Sequence, residues 1–401
     1  MTHFPRCVNS DLGPGRIWDR NQSKKEEVTS LKRNLRRTSG LAALLLALAL
    51  LAGCTQSSSV PTASPAADPS AQQTEQTGQR EITDMAGRTM TVPEEIQSAF
   101  STGPVSAIYL YTLVPDKLLG WNYELNDIEK SIILPEYHDL PNFGMGDSVN
   151  YEAVIAAGPT IAFHVSAINE GTKDEADQLS QQLGIPVVMV SSELEDAAEV
   201  YRFMGELFGV EEQAEALAEY AEAVFADIAA IDVSEEEKVR VYYGNGENSL
   251  ETAPAGSSHG AILDAVKAVN VADLELGDGS RVQISLEQLL AWDPDVIVVN
   301  GEPKSNMSGG AAAQSILSNP DFATLKAVQE GKVYGTPNAP FSWVDRPPGP
   351  NRLVGIRWLA GLLYPDRVPY DVDEEVKEFF QLFYHVDLSE EQLAQLYAGT
   401  I

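Results

Sequence analysis

Residues 211–231 have the sequence EEQAEALAEYAEAVFADIAAI, and this stretch decides how the rest of the chain is interpreted. It contains neither Gly nor Pro and is rich in Ala, Glu and Leu, which are strong helix formers. At 1.5 Å per residue it predicts a single α-helix roughly 30 Å long. Short apolar runs alternate with helical patterns on both sides of this helix. The sequence therefore predicts two α/β lobes, each with a mainly parallel sheet flanked by helices, joined by one long helix.

The apolar runs locate the predicted strands and set the predicted domain limits. We predict an N-terminal lobe at 81–210, a linker helix at 211–232 and a C-terminal lobe with terminal helices at 233–401. The runs are KLLGW (117–121), TIAFHV (160–165), GIPVVMV (184–190), KVRVYYG (238–244), DVIVVNG (295–301) and GKVYGTP (331–337). A stiff helix between the lobes favours small rocking motions over a wide closure.

The N-terminal region predicts export. Four basic residues, at 32, 33, 36 and 37, precede the apolar run GLAALLLALALLAG, which ends at Cys54. This order is typical of a signal peptide, here 1–53, and we expect translation to begin at Leu31, so that 1–30 are not made. The motif LAGC resembles a bacterial lipobox, which implies that Cys54 is lipidated and holds the protein on the outer face of a membrane. The alternative is a signal peptide that carries a Cys there by chance.

The segment after Cys54, residues 54–80, predicts a flexible tether because it is rich in Ser, Pro, Ala, Thr and Gln. Cys7 and Cys54 are the only cysteines, so disulfides and cysteine metal sites are excluded from the exported part. The formal net charge of −32 argues against a nucleic-acid partner, since such a surface repels phosphates.

Two stretches of the chain repeat one pattern. Residues 149–166 (VNYEAVIAAGPTIAFHVS) and 284–301 (ISLEQLLAWDPDVIVVNG) each combine a polar N-cap, a Glu, an amphipathic helix, a Pro turn and a buried strand. Glu152 and Glu287 fall in the first turns of these helices, where a carboxylate interacts favourably with the helix dipole. The repeat predicts equivalent helices in the two lobes.

These stretches, together with EITDMAGRTMTVPEEIQSAF (81–100), resemble the periplasmic-binding family of helical-backbone (class III) metal receptors. Its members serve ABC importers of ferric siderophores, haem, vitamin B12 and some metal oxyanions. The resemblance implies a binding protein that is not an enzyme and has no cofactor. It also implies a monomer whose partners are a permease with its ATPase subunits, and whose ligand lies between the lobes. By motif, Glu152 and Glu287 dock on permease arginines; the alternative is that both are only helix-capping carboxylates.

Ligands of parallel α/β lobes gather at the carboxyl ends of the strands, where loops and helix N-termini leave free N–H groups. Polar and aromatic residues at those positions are the predicted ligand contacts. They are Ser101, Thr102, Trp121, Tyr123, Met145, His164, Tyr243, Asn245, Ser258, His259, Asn300, Trp343 and Arg346.

The loop PFSWVDRPPGPN (340–351) allows two interpretations. Its prolines fix φ, so it could present Trp343 and Arg346 to a flat, partly anionic ligand at little entropic cost. Alternatively, Arg346 pairs with Asp345 or with helix carboxylates while Trp343 fills the lobe, and the loop is a structural corner.

His164 and His259, one in each lobe, could ligate a metal or hydrogen-bond a chelate. No further ligands accompany them, which disfavours a bare metal ion and favours a metal-containing complex. A ferric siderophore is the first choice, and haem, a corrinoid and molybdate or tungstate remain open. The alternative classes are an exported two-lobed hydrolase, which needs a nucleophile with an adjacent base, and a surface sensor without transport.

Overall fold

The computed structural model describes residues 78–275, 281–301 and 308–398 of the 401-residue chain. The predicted signal peptide, Cys54 and nearly all of the predicted tether lie outside these residues. The strands are β1 (Gln79–Thr83), β2 (Thr89–Pro93), β3 (Ala99–Ser101), β4 (Ile161–Ser166), β5 (Val187–Ser191), β6 (Arg240–Asn245), β7 (Glu251–Thr252), β8 (Val269–Asn270), β9 (Val282–Gln283), β10 (Val296–Val299) and β11 (Val333–Gly335). The α-helices are α1 (Pro104–Leu113), α2 (Asp127–Lys130), α3 (Tyr151–Ala157), α4 (Glu170–Leu183), α5 (Ala197–Phe208), α6 (Glu211–Ala230), α7 (Ala261–Ala265), α8 (Leu286–Trp292), α9 (Gly309–Ser318), α10 (Lys326–Gln329), α11 (Asn351–Leu363), α12 (Val372–Tyr384) and α13 (Glu390–Tyr397).

Two main sheets are formed, one before and one after α6 in the sequence. The N-terminal sheet has the order β3-β4-β5 and is parallel throughout. The C-terminal sheet has the order β11-β10-β6-β7-β9, and β8 also pairs with β6. In it β6, β10 and β11 are parallel, whereas the two-residue strands β7 and β9 pair antiparallel. β1 and β2 form a separate antiparallel hairpin. The predicted α/β fold with mainly parallel sheets is confirmed.

The long helix predicted between the sheets is α6. It has twenty residues, and its C-cap is Ile231. Its buried face includes Leu217, Ala221 and Val224, which recur at helical spacing. This face packs against α5, α11 and α12. The helix forms as predicted because nothing in its sequence interrupts the backbone hydrogen bonds.

The sequence repeat corresponds to a structural repeat. Asn150 Oδ1 accepts a hydrogen bond from Ala153 N (3.0 Å) at the start of α3, and Ser285 Oγ accepts one from Gln288 N (3.2 Å) at the start of α8. Each helix then leads into a buried parallel strand, β4 or β10. Both N-caps satisfy backbone donors that have no partner within the helix.

KLLGW is not a strand. Pro115–Lys117 forms one turn of 3₁₀-helix, and the run pairs only through isolated bridges of Leu118 with Ala99 and of Trp121 with Asn142. Pro115 fixes φ and lacks an N–H donor, which favours a turn at the start of this run.

The largest hydrophobic core contains residues from both sides of α6. The ring centroids of Tyr111 in α1 and Tyr384 in α12 are 6.0 Å apart, and those of Tyr201 in α5 and Phe383 in α12 are 5.5 Å apart. The described residues all belong to one compact unit. A helix from the end of the chain therefore covers helices of the N-terminal half.

A buried ion cluster connects α6, α11 and α12. The Arg357 side chain, 4% exposed, pairs with Glu375 and donates to Asp227 Oδ2 at 2.8 Å. Its guanidinium carbon lies 5.0 Å from the ring centroids of both Tyr220 and Tyr370. Such a guanidinium combines ion pairing with cation–π contact to two rings.

Replacing Arg357 with Met is expected to destabilise the protein by about 3–5 kcal/mol, because it leaves the Glu375 carboxylate largely buried without its cation. Urea denaturation of the variant against the wild type measures this loss. The double variant Arg357→Met with Glu375→Met should recover much of the stability, since both charges are then absent. Equal losses in the single and double variants would contradict this explanation.

Candidate functional site

Three of the predicted contacts come together at the carboxyl ends of β3 and β4. Thr102 Oγ1 lies 2.8 Å from His164 Nδ1. Ser101 is fully buried, and its hydroxyl donates to Gly120 O (3.2 Å) and Asn122 Oδ1 (3.1 Å). Ser101 therefore fixes a neighbouring loop, and its burial contradicts the prediction that it contacts a ligand.

His164 is a polar side chain at this edge with one ring nitrogen that lacks a hydrogen bond within the described part of the chain. Its Nε2 is screened from solvent and has no hydrogen-bond partner among the described residues. Burial lowers the pKa of His164, and the positive charge of Arg88 lowers that pKa further. The imidazole is therefore neutral at neutral pH.

The aromatic residues predicted on the N-terminal side differ in placement. Trp121 is 3% exposed and donates from Nε1 to Tyr137 O at 2.8 Å, which contradicts the prediction that it contacts a ligand. Tyr123 donates to Glu129 Oε1 at 2.8 Å, and burial together with that carboxylate raises the pKa of Tyr123. Met145 is 47% exposed and remains available as a contact.

Trp343 has no exposed surface. Its Nε1 donates to Ala339 O at 3.1 Å, and the rings of Trp358, Phe380 and Tyr397 surround it at centroid distances of 6.0–6.4 Å. The prediction that Trp343 is presented to a ligand is wrong for this conformation. The prolines do fix the loop, but they direct the indole into the core, as the alternative interpretation held.

Trp343→Ala is expected to reduce the free energy of unfolding by about 3–5 kcal/mol, because it opens a cavity within an aromatic cluster. Chemical denaturation measures the loss, and Trp343→Phe, which keeps a ring in place, should lose less. Ligand affinity measured well below the melting temperature should be unchanged. A loss of affinity without a loss of stability would restore the binding role.

Asn300, after β10, holds a loop in place. Its Oδ1 accepts from Thr336 Oγ1 (2.8 Å) and Ser342 Oγ (3.0 Å), and its backbone oxygen accepts from Asn338 Nδ2 (2.8 Å). The side chain is buried by these partners. Its burial contradicts a direct ligand contact and assigns Asn300 to fixing the start of the Pro-rich loop.

The remaining polar groups meet around one buried carboxylate. Asp345 is fully buried, and its Oδ1 makes a short hydrogen bond with His259 Nδ1. Its Oδ2 has no hydrogen bond, but it lies 3.6 Å from Arg281 Nη2 and 3.8 Å from Arg346 Nε. We call Asp345, His259, Arg281 and Arg346 the cationic cluster. Two arginines and a histidine thus lie around this carboxylate, and Glu251 is a second carboxylate near Arg281.

Arg281 is the most notable member of the cationic cluster. Its side chain is 15% exposed, and its Nε is buried without a hydrogen-bond partner among the described residues. Its nearest acidic oxygens, Glu251 Oε2 at 3.7 Å and Asp345 Oδ2 at 3.6 Å, are both beyond hydrogen-bond distance. A mostly buried guanidinium with unmet donors is suited to an anion.

Tyr243 and Asn245, both predicted contacts, lie deeper on the same side. Both are fully buried at the end of β6, and neither the Tyr243 hydroxyl nor the Asn245 amide atoms make a well-formed hydrogen bond. Burial raises the pKa of Tyr243 well above its ordinary value, and Asp345 adds to the rise. They are therefore unsatisfied polar groups behind the cationic cluster and not part of an open surface.

A second buried arginine borders the cationic cluster. Arg352, 4% exposed, donates from Nη1 to Ser258 O (3.3 Å) and from Nε to Gly349 O (3.4 Å), both long hydrogen bonds. Its positive charge acts on Tyr109 in α1, whose pKa is nevertheless raised to about 12 by burial. Arg352 thus lies where the loops of the C-terminal half meet α1.

The N-terminus of α1 faces the same loops. A side-chain atom built at Gly349 would lie 3.7 Å from Ile108 and 3.8 Å from Val105, so the Pro-rich loop contacts α1. Gly103, the N-cap of α1, makes no side-chain cap and has free space beside its Cα. Orphan N–H groups of a helix N-terminus add positive potential there.

The segment GSSHG (256–260) matches the GxSxG pattern, which in some hydrolases contains the nucleophilic serine. That pattern requires a nucleophile serine on a strand-to-helix elbow with a base in reach. Ser258 is exposed in a turn, and no hydrogen bond joins its hydroxyl to the His259 ring among the described residues. The segment gives no support to a nucleophilic serine.

Neither a group of metal-ligating side chains nor a helix suited to crossing a membrane occurs within residues 78–275, 281–301 and 308–398. Within them, no group of three or more His, Cys, Asp or Glu side chains is placed to hold a metal ion. His164 and His259 therefore do not form part of such a group there. In the same ranges, none of the helices has the length and apolar character needed to cross a bilayer.

Glu152 and Glu287 occupy equivalent places in the structural repeat. Each lies in the first turn of its helix, α3 or α8, and each is exposed. Hydrogen bonds from its own backbone N–H and from Ser285 lower the pKa of Glu287. Both carboxylates are accessible to a partner, and their docking role stays a prediction.

Three residues of the site were not predicted as contacts: Arg281, Asp345 and Arg352. The strand pairing explains the position of Arg281. Val282 pairs with Thr252, and Thr252 pairs with Gly244, so the preceding residue Arg281 lies level with Tyr243. Because β7 and β9 have only two residues each, no periodicity in the sequence indicated this pairing.

Known proteins resemble this chain over most of its length. An ABC transporter solute-binding protein from Sulfurospirillum deleyianum is 30% identical, covers 79% of this chain and 99% of its own, and has a TM-score of 0.71. The molybdate-binding protein MolA of Haemophilus influenzae is 27% identical over 349 residues, 79% of this chain and 94% of MolA. The structure of MolA bound to molybdate is 26% identical, covers 77% of this chain and 99% of MolA, and has a TM-score of 0.60.

A more distant structure shows the fold alone. The triscatecholate siderophore-binding protein FeuA of Bacillus subtilis is 17% identical, covers 72% of this chain and 99% of its own, and has a TM-score of 0.51. Residues 112–340, more than half of this chain, match the periplasmic binding protein family. The family and these relatives are binding proteins, and the family implies an exported location. The chain is a member of the periplasmic binding protein family.

Proposed function

We propose that this protein is the substrate-binding component of an ABC importer and that its ligand is a small oxyanion of the molybdate or tungstate class. The observation that carries the proposal is Arg281, a mostly buried guanidinium whose donors have no hydrogen-bonded acceptor among the described residues. Arg346 and His259 lie beside it around Asp345. Arg281 and Arg346 bring permanent positive charge to this place in a chain of net charge −32, and guanidinium donors without a hydrogen-bonded acceptor favour an anion.

Residues of both halves contribute to the proposed site. Ser258, exposed beside His259, offers a hydroxyl on the C-terminal side, and Thr102, His164 and Met145 are the candidates on the N-terminal side. Hydroxyl and N–H donors of this kind suit oxyanion oxygens. The likeness to MolA supports an oxyanion.

A ferric siderophore is the second candidate. The sequence favours it because the family resemblance is broadest there and because an aromatic face beside Arg346 suits a catecholate or carboxylate chelate. The burial of Trp343 removes the aromatic face beside Arg346 on which the second reason depends. Haem and corrinoid, which need similar flat contacts, lose support for the same reason.

The experiment is calorimetric titration of the purified protein with molybdate, tungstate, sulfate and phosphate, and with ferric catecholate and carboxylate chelates, haem and a corrinoid. Native mass spectrometry with elemental analysis of protein isolated from its own host identifies the natural ligand. The proposal expects binding of at least one oxyanion and none of the large chelates. Tight binding of a chelate, with no oxyanion bound, would overturn it.

We also propose that the protein is anchored to a membrane by lipid and that its two lobes have the boundaries predicted from the sequence. Cys54, which lies outside the described residues, is proposed to carry the lipid anchor, and the division at 81–210, 211–232 and 233–401 is retained as the lobe assignment. Cell fractionation of wild type and Cys54→Ala tests the anchor. Release of only the variant from the membrane fraction is the expected result.

A further inference from the structure

The Pro-rich loop carries two members of the cationic cluster, Asp345 and Arg346, and one side chain connects the two ends of this loop. That side chain is Asn351, the last residue of the loop and the first of α11, which has no exposed surface. Its Nδ2 donates a long hydrogen bond of 3.4 Å to Phe341 O, near the start of the loop. The Asn351 amide therefore closes the segment in which Asp345 and Arg346 lie.

Tyr384 in α12 orients the Asn351 amide. Its hydroxyl donates to Asn351 Oδ1 at 2.6 Å, and both side chains are fully buried. Burial raises the pKa of Tyr384 well above its ordinary value, so the hydroxyl keeps its proton. If the amide turned over, its oxygen and nitrogen would exchange places and this O–H donor would lose its acceptor. The hydroxyl thus directs the Asn351 nitrogen to Phe341 O.

The ring of Tyr384 also packs against the N-terminal half of the chain. Its centroid lies 6.0 Å from that of Tyr111 in α1 and 6.5 Å from that of Phe341 in the Pro-rich loop. Aromatic pairs at such distances attract each other and fix the positions of both rings. One side chain of α12 is therefore in contact with α1 and with the loop that carries Arg346.

We propose that Tyr384 is a positioning residue, which holds the Pro-rich loop in the geometry of the binding site and couples this loop to α1. The inference rests on the proposed function, because it concerns the same site. A loop that is restrained before binding loses less conformational entropy when a ligand binds. Without the hydroxyl, the loop adopts the binding geometry for a smaller fraction of the time, and the apparent affinity falls by that fraction.

Tyr384→Phe tests this role, because it keeps the ring and removes only the hydroxyl. Molybdate affinity, measured by calorimetric titration well below the melting temperature, should fall by about threefold to tenfold, the range that corresponds to one lost hydrogen bond. Asn351→Leu should weaken molybdate by a similar factor. The double variant should lose no more than either single variant, because both substitutions break the same connection. Additive losses in the double variant would contradict the connection.

Tyr201→Phe is the matched control. Tyr201 is a fully buried tyrosine of the same hydrophobic core, and its hydroxyl forms a hydrogen bond of 2.8 Å with Thr112 Oγ1 that does not involve the Pro-rich loop. The two Tyr→Phe variants should lower the melting temperature by similar amounts, whereas only Tyr384→Phe should weaken molybdate binding. Equal losses of affinity in both variants would show that reduced stability alone is responsible, and the inference would fail.

Hydrogen exchange in the protein without ligand provides a second readout. The backbone N–H groups of Val344 and Asp345 donate to Ser342 Oγ, each at 3.3 Å. Tyr384→Phe should speed the exchange of these two amides by about the same factor as the loss of affinity, and Tyr201→Phe should leave their exchange unchanged. Exchange in Tyr384→Phe at the wild-type rate would overturn the inference.

These outcomes distinguish the inference from the proposed function. Wild type that binds no oxyanion contradicts the proposed function, and the exchange rates then decide whether Tyr384 holds the loop. Wild type that binds molybdate, together with a Tyr384→Phe variant that binds it equally well, contradicts only the role of Tyr384.

Discussion

Arg281→Ala is expected to weaken oxyanion binding by about thirtyfold or more. A guanidinium that pairs with a bound anion in a mostly buried site contributes about 2–5 kcal/mol, and every 1.4 kcal/mol is a factor of ten. Arg281 has no hydrogen bond to lose among the described residues, since its contacts with Glu251 and Asp345 exceed hydrogen-bond distance. The fold loses one cation beside the fully buried Asp345, which keeps His259 and Arg346 as partners, so the loss of stability should be smaller than that of Arg357→Met. Calorimetric titration and thermal melting measure the two effects separately.

Arg202→Ala is the matched control for Arg281. Arg202 is an exposed arginine in α5, hydrogen-bonded to Glu215 and Glu222 of α6. Exposed ion pairs contribute little to stability, so the substitution should change neither melting nor affinity. If Arg281→Ala binds the oxyanion as the wild type does, the site lies elsewhere and the proposed function loses the observation that carries it.

Charge reversal at Glu152 and Glu287 is expected to abolish uptake while leaving ligand affinity nearly unchanged. If both carboxylates pair with permease arginines, each Glu→Lys change replaces an attraction with a repulsion at the docking surface. Both side chains are exposed in the first turns of α3 and α8, so the fold should tolerate the change. Transport of labelled oxyanion into cells or proteoliposomes, beside calorimetry on the same variants, is the measurement.

Glu219→Lys is the control for the docking prediction. Glu219 is exposed on α6, away from the two short helices, and its reversal changes the net charge by the same amount. Uptake should be normal in this variant. Normal uptake by the Glu152→Lys and Glu287→Lys double variant would show that the two residues serve only their own helices.

Much of the fold could be predicted because it depends on local patterns. The helix α6 follows from an uninterrupted run of helix formers, and the buried strands β4, β5, β6, β10 and β11 follow from apolar runs between helices. The N-caps at Asn150 and Ser285 follow from residue type and position. None of these features depends on which helices and strands pack together in the folded chain.

The site was predicted less well because it depends on the side to which loop side chains turn and on the pairing of short strands. The prolines of the 340–351 loop restrict its backbone, but no local rule shows to which side Trp343 turns. The pairing that brings Arg281 to Tyr243 uses strands of two residues. The sequence suggests Asp345 only as a partner of the adjacent Arg346, whereas Asp345 makes its hydrogen bond with His259, 86 positions earlier in the chain.

The packing of α12 on α1 has a consequence for biogenesis. The aromatic surface of α1 and α5 is covered by Tyr384 and Phe383, which lie in the last tenth or so of the chain. The N-terminal half therefore cannot complete its core until almost the whole polypeptide has been synthesised. Completion of this core late in synthesis favours export of the chain before it has folded.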